Sequence, residues 1–144
     1  MLFRSIDWRA IREVFTVLRR GGIIVLLSDW GWKPDGTPCM LFGRWTTLPS
    51  GPAVLAARGK APIIPFFVRR EAPGKFYIAF GAPIDAGNGS NAAQFAATQA
   101  TASAMEQLIR TDPTQWNCFK PLWPNAQEQE RLKSRAATMS AEVS

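Results

Sequence analysis

Residues 21–29 read GGIIVLLSD, and the fold turns on the apolar run Ile23–Leu27 at their centre. A short continuous run of this kind suits a strand buried on both faces, as in parallel sheets covered by helices. Upstream, Trp8, Ile11, Val14, Phe15 and Leu18 recur at helical spacing, with Asp7 placed as N-cap and Gly21 and Gly22 as the stop. A helix leading into a buried strand predicts an α/β fold whose mostly parallel central sheet is flanked by helices.

Downstream, Ser50 is placed to cap a helix with Pro52 in its first turn, running through Val54, Leu55 and Ala57 to Gly59. Residues 62–68, PIIPFFV, read as a second buried strand. Residues 69–75 form a polar turn around Pro73 and Gly74, and residues 76–80 alternate as a hairpin partner strand. A Gly/Asn/Ser connection at 87–90 leads into an Ala-rich helix over 91–110, anchored by Phe95, Met105, Leu108 and Ile109. In the stretch QWNCFKPLWP, Trp116, Phe119, Leu122 and Trp123 are expected to pack back on the body. Residues 1–124 read as a single domain and residues 125–144 as a polar tail, frayed or disordered.

The 144 residues are 47% hydrophobic, enough for a globular core. No apolar run approaches the roughly 18 residues of a membrane span, and the N-terminus lacks the apolar centre of a signal peptide. These features predict a cytosolic chain. Cys39 and Cys118 are far apart, with no metal or redox spacing, and are assigned no function. Residues 1–70 hold eleven Lys and Arg against four Asp and Glu, a balance of +7, while residues 71–144 hold six against seven. A field of that sign suits nucleic acid, acidic lipid or a phosphate-bearing substrate. The chain has no histidine, so the commonest general base near neutral pH is missing from it.

The connection from Ser28 to Gly51 is unusually long and carries Trp30, Trp32 and Trp45. Asp29 opens it, beyond the carboxyl end of the first expected strand, where open α/β sheets collect ligands. An acid there also suits a loop cap or a partner for a nearby arginine, and the tryptophans suit loop anchors as well as ligand platforms. Arg69 and Arg70 read equally as a solvated turn or as an anion contact.

The stretch LLSDWGWKPDGTPCMLFGRWTTLPSGPAVLAARGKAPIIPFFVRREAPGKFYIAFGAPI resembles the C-terminal half of the lipid A lauroyl acyltransferase family, within the wider glycerolipid acyltransferases. The matching features are an apolar strand ending in an acid at Leu27–Asp29, Gly36, Phe42 with Gly43, Thr46 with Thr47, the Gly51–Ala56 helix start, Ile64 with Pro65, and Arg69 with Arg70. The later PTQWNCFKPLWP is similar to the family's ending. The resemblance covers roughly residues 10–124 and implies a partial acyltransferase fold, with a C-terminal hairpin strand and helix.

By that resemblance, a fatty acyl chain passes from acyl carrier protein or acyl-CoA to a glycolipid hydroxyl at the cytoplasmic face of the inner membrane. Asp29 becomes a supporting catalytic acid. Trp30, Gly36, Phe42, Gly43, Thr46, Thr47, Gly51, Arg69 and Arg70 become substrate-binding residues, with no metal and no cofactor. The family's general base is a histidine in His-x-x-x-x-Asp/Glu. The present sequence starts after the place of that motif, so the resemblance implies a missing N-terminal half and a chain inactive alone. A phosphatidylinositol mannoside acyltransferase fragment would look much the same. A non-catalytic membrane-surface or interaction domain is the rival from another class. A nucleic-acid module is disfavoured, since no signature of one appears.

Overall fold

The computed structural model describes residues 8–142, so the expected cap Asp7 lies outside the described residues. In order, the elements are α1 (Trp8–Arg19), β1 (Thr37–Leu41), β2 (Arg44–Leu48), α2 (Gly51–Gly59), β3 (Phe66–Ala72), β4 (Lys75–Phe80), α3 (Asn91–Thr111), a 3-10 turn (Pro113–Gln115) and α4 (Ala126–Ala141). The architecture is α/β. Its sheets, however, are two separate antiparallel pairs, β1–β2 and β3–β4, and no parallel sheet forms among the described residues.

The expected first strand is the point of departure. Residues 23–27 form no regular secondary structure, and among the described residues no backbone–backbone hydrogen bond reaches them. They are not buried: Ile23 is 86% exposed, Val25 65% and Leu27 74%. The second expected strand is only half a strand. Pro62 and Pro65 withhold backbone donors, so regular pairing begins at Phe66, with a single bridge at Ile63–Ile84 before it. Its hairpin with β4 is as expected, in the register Phe66–Phe80 and Val68–Ile78, but it runs on to Ala72 and leaves Phe66 and Val68 exposed.

The long connection is not a loop throughout. Thr37–Leu41 and Arg44–Leu48 pair across a two-residue turn, Phe42–Gly43, in which both residues have positive φ, 50° and 74°. Such turns match the right-handed twist of the flanking strands. A phenylalanine in the left-handed region is strained and needs holding. Glu106 of α3 does this by accepting the Phe42 backbone N–H at 2.8 Å.

Two small cores tie the elements together. Cys39, Leu41 and Leu48 of the first hairpin meet Ala102 of α3, with Met105, Phe42 and Trp116 closing over them. Ala53 and Ala56 of α2 meet Ala97 of α3 and Ala86, with Ile63 and Ile84 alongside. The small residues on α2 and α3 let the backbones approach closely. Ser90 caps α3 as a side-chain acceptor for the Ala93 N–H, whereas Ser50, in helical conformation, makes no side-chain cap bond to α2.

The stretch expected to be a frayed tail is a helix instead. Asn125 caps α4 by accepting the Glu128 N–H at 2.9 Å, and Leu132 and Ala136 are buried. Arg135 donates to the carbonyls of Pro34 and Gly36 at 2.8 and 3.0 Å, which clamps α4 onto the entry to β1. Of the aromatics expected to pack back, Trp116 and Trp123 do. Phe119 does not, and is 92% exposed.

Candidate active-site groove

A groove of about 370 Å³ opens between the 24–29 segment, residues 61–68, α2 and the C-terminal turns of α3. Its walls are largely hydrocarbon: Leu26, Leu55, Ile63, Phe67, Met105 and Leu108 are representative. Polar groups are confined to places such as Ser28, Asp29 and Thr101. A mostly apolar cleft of this size with few polar groups has the character of a small-molecule site.

Asp29 lines this groove and is held from outside it. Two stretches run side by side here, 29–32 and 116–121. The Trp116 indole N–H donates to an Asp29 carboxylate oxygen at 3.2 Å, the Cys118 thiol lies 3.8 Å from the Asp29 carbonyl, and the Trp32 N–H donates to the Pro121 carbonyl at 3.0 Å. Gly31, at φ 110°, makes the close approach possible, since a Cβ there would sit 2.8 Å from the Lys120 Cβ. The Lys120 ammonium then lies 4.2 Å from the Trp30 ring centroid. Asp29 is therefore a half-buried carboxylate with one fixed donor, facing an apolar space.

The structure brings only Asp29, of the residues singled out above, to the groove wall. Trp30 is 56% exposed under Lys120, away from the lining. Gly36, Thr46 and Thr47 belong to the scaffold around β1–β2. A Cβ on Gly36 would meet the Thr47 Cβ at 2.7 Å, Thr47 Oγ1 donates to the Lys33 carbonyl at 2.6 Å, and Thr46 Oγ1 donates to the Leu122 carbonyl. Phe42 and Gly43 form the hairpin turn, and Gly51 begins α2. Arg69 stacks over Tyr77 at 4.7 Å and pairs with Glu71 at 3.4 Å. The Arg70 side chain turns back to the Ala72 carbonyl, while its backbone is bound at both N–H and C=O by the Gln115 amide, at 2.6 and 2.8 Å.

Residues to which the sequence alone gave no role at a site do much of the positioning. Trp116 orients Asp29, Gln115 fastens β3, and Met105 and Leu108 were noted only as helix anchors although they floor the groove. Helical spacing gave the signal for Met105 and Leu108. Nothing in the local sequence could pair Trp116 with an acid 87 residues away.

Among the described residues, two ionisable groups are displaced. Burial pushes the Cys39 thiol up to about 12, which marks it as an inert core group. The Arg110 guanidinium, 2.7 Å from Glu106, together with the Phe42 N–H, holds the Glu106 carboxyl below its usual range. Neither group faces the groove.

Residues 2–125 match the family described as bacterial lipid A biosynthesis acyltransferase. The phosphatidylinositol mannoside acyltransferases of two Mycobacterium tuberculosis strains, CDC 1551 and H37Rv, are each 30% identical to the chain over 106 residues. Those residues are 74% of this chain but only 32% of each relative, so the matched region spans about a third of the curated relatives' length.

Proposed function

Because the chain belongs to the bacterial lipid A biosynthesis acyltransferase family, we propose that it forms the acyl-chain wall of a glycolipid acyltransferase. The single observation that carries it is the apolar groove of about 370 Å³ with Asp29 at its wall. A fatty acyl chain is the substrate part that needs hydrocarbon walls, and a thioester donor, acyl carrier protein or acyl-CoA, would deliver it. Burying such a chain releases about 0.8 kcal/mol per methylene.

In this reading Asp29 acts by charge and orientation. It is not assigned the part of general base, which this reading gives to a histidine. The base that activates the acceptor hydroxyl lies outside these 144 residues, which contain no histidine. The chain alone is accordingly inactive, and works with the rest of an acyltransferase at the inner face of the cell membrane. No helix among the described residues is long and apolar enough to cross a membrane. The mycobacterial relatives' name favours a phosphatidylinositol mannoside as one acceptor to test beside lipid A precursors.

The test uses the chain by itself. A fluorescent fatty-acyl probe should bind and be displaced by lauroyl-CoA, and Leu108→Trp, which fills the groove floor, should weaken binding at least tenfold. A probe that ignores the chain, or binds Leu108→Trp equally well, would overturn the assignment of the groove.

A further inference from the structure

The cations of the chain differ in what already holds them. Arg69 lies over the Tyr77 ring and pairs with Glu71, and Arg110 pairs with Glu106 at 2.7 Å while covering Phe42. The Arg70 side chain turns back to the Ala72 carbonyl, and Arg135 is committed to the carbonyls of Pro34 and Gly36. Lys120 is in a different state. Among the described residues it pairs with no carboxylate, and its side chain is exposed.

Its position is nonetheless fixed. The ammonium rests 4.2 Å from the Trp30 ring centroid, and an indole face attracts a cation without neutralising it. The backbone is held at the same place. The Cys118 thiol lies 3.4 Å from the Lys120 carbonyl and 3.8 Å from the Asp29 carbonyl, and a Cβ on Gly31 would meet the Lys120 Cβ at 2.8 Å. An unneutralised charge therefore stands beside the stretch that opens with Asp29, at the part of the groove lined by Asp29 and Trp116. Stacking at an exposed site adds little to stability, so the fold has small need of this cation. What it suits is an anion arriving from outside. A lysine binds phosphate as a point charge with three donors and asks for no planar fit.

We propose that Lys120, propped on Trp30, is a phosphate-binding residue for the headgroup of the amphiphile whose hydrocarbon chain occupies the groove. The choice of phosphate among anions rests on the acyltransferase reading above, in which CoA and carrier thioesters, and a phosphatidylinositol-based acceptor, all carry phosphate. The open charge and its place beside Asp29 do not depend on that reading. The two groups also sort the ligand by sign. The Asp29 carboxylate on the groove wall repels phosphate while Lys120 attracts it, which holds the headgroup outside the groove and leaves the hydrocarbon walls to the chain.

The experiment follows the Trp30 indole N–H and the Gly31 amide by NMR in the nitrogen-labelled chain. One probe is CoA without an acyl chain; the other is neutral bicelles doped with phosphatidylinositol, read against the same bicelles undoped. At least one probe should move both signals saturably, with an affinity that falls as salt is added. A response to CoA identifies the soluble donor as the source of the phosphate, and a response to the doped bicelles identifies the lipid. Lys120→Gln, an exposed change that leaves the fold intact, should weaken the responding probe at least fivefold, and Lys120→Arg should retain it. Silence towards both probes overturns the proposal. So does equal binding to Lys120→Gln, or a loss in Lys120→Arg as large as in Lys120→Gln. The fluorescent acyl probe judges the groove separately. Its failure to bind, with phosphate still held at Lys120, would refute the groove reading and leave this site standing; acyl binding without any phosphate response would do the reverse.

Discussion

Trp116 and Asp29 are joined by an indole N–H to carboxylate hydrogen bond of 3.2 Å, and it fixes which way Asp29, the only acid on the groove wall among the described residues, faces. The same indole packs on Phe42, 5.8 Å between centroids, so one side chain links the hairpin core to the groove. Asp29 is thus oriented by the core.

In an assembled enzyme, Asp29→Asn should lower turnover by at least tenfold, about 1.4 kcal/mol of barrier. Stability should change by no more than about 1 kcal/mol, since the amide oxygen still accepts from Trp116. Steady-state rates beside thermal melts separate the two. Full activity in the folded variant would leave Asp29 a structural acid.

Trp116→Phe keeps most of the ring packing and removes the donor. If Trp116 acts through Asp29, the double variant Trp116→Phe with Asp29→Asn should be no slower than Asp29→Asn alone, a non-additive cycle. Additive losses would mean that Trp116 acts by packing only.

Glu106 gives a pH signature. Its folded-state pKa is lowered from the usual 4.5, chiefly by Arg110 and then by the Phe42 N–H. A depressed carboxyl contributes stability that is in full force above its unfolded pKa and is lost as pH falls through the folded one. Glu106→Gln should therefore be less stable than the wild type at neutral pH, with the gap closing below 4.5. Urea denaturation from neutral pH down to about pH 3 reads it. A gap independent of pH would assign the effect to shape.

The helix α4 is integral to the fold. Leu132, 1% exposed, should cost about 2–5 kcal/mol on truncation to alanine. Arg135→Ala should cost about 1 kcal/mol through the two lost carbonyl contacts. Melts of both variants test this; stability unchanged in Leu132→Ala would return residues 125–144 to a loose tail.

The cysteines should separate cleanly. Cys39, 0% exposed and with its thiol pushed to about 12, should resist alkylation in the native state, whereas the half-exposed Cys118 should react. At pH 8 only about one Cys39 in ten thousand would be thiolate even if reached. Native labelling of Cys39 at the rate of Cys118 would contradict the packing of β1.

Local order was readable where periodicity and breakers agree. Leu18 and Phe15 in α1, Pro52 in α2 and the Ala-rich run with Phe95 and Met105 in α3 each announced a helix, and Pro73–Gly74 announced the second hairpin. The parallel sheet was not there to be read. The run Ile23–Leu27 reports that its side chains need cover, and says nothing about whether this chain supplies it. The first hairpin was legible in retrospect, since Thr37–Leu41 and Arg44–Leu48 flank a two-residue turn ending in glycine. The tryptophans drew attention away from that pattern. For α4, Asn125 three residues before Glu128 is a capping signal, but Leu132 and Ala136 are too sparse an apolar stripe to advertise burial. The acid at Asp29 was legible as a position, while its partner Trp116 depended on the tertiary fold.

The clamp of Arg135 on Pro34 spans 101 residues and therefore sets a clock on biosynthesis. At a translation rate of about 5–20 residues per second, the β1–β2 pair leaves the ribosome roughly 5–20 s before the helix that covers it. The nascent chain must pass that interval with Leu41 and Leu48 incompletely sealed, so dependence on a holding chaperone should fall on the window before α4 emerges.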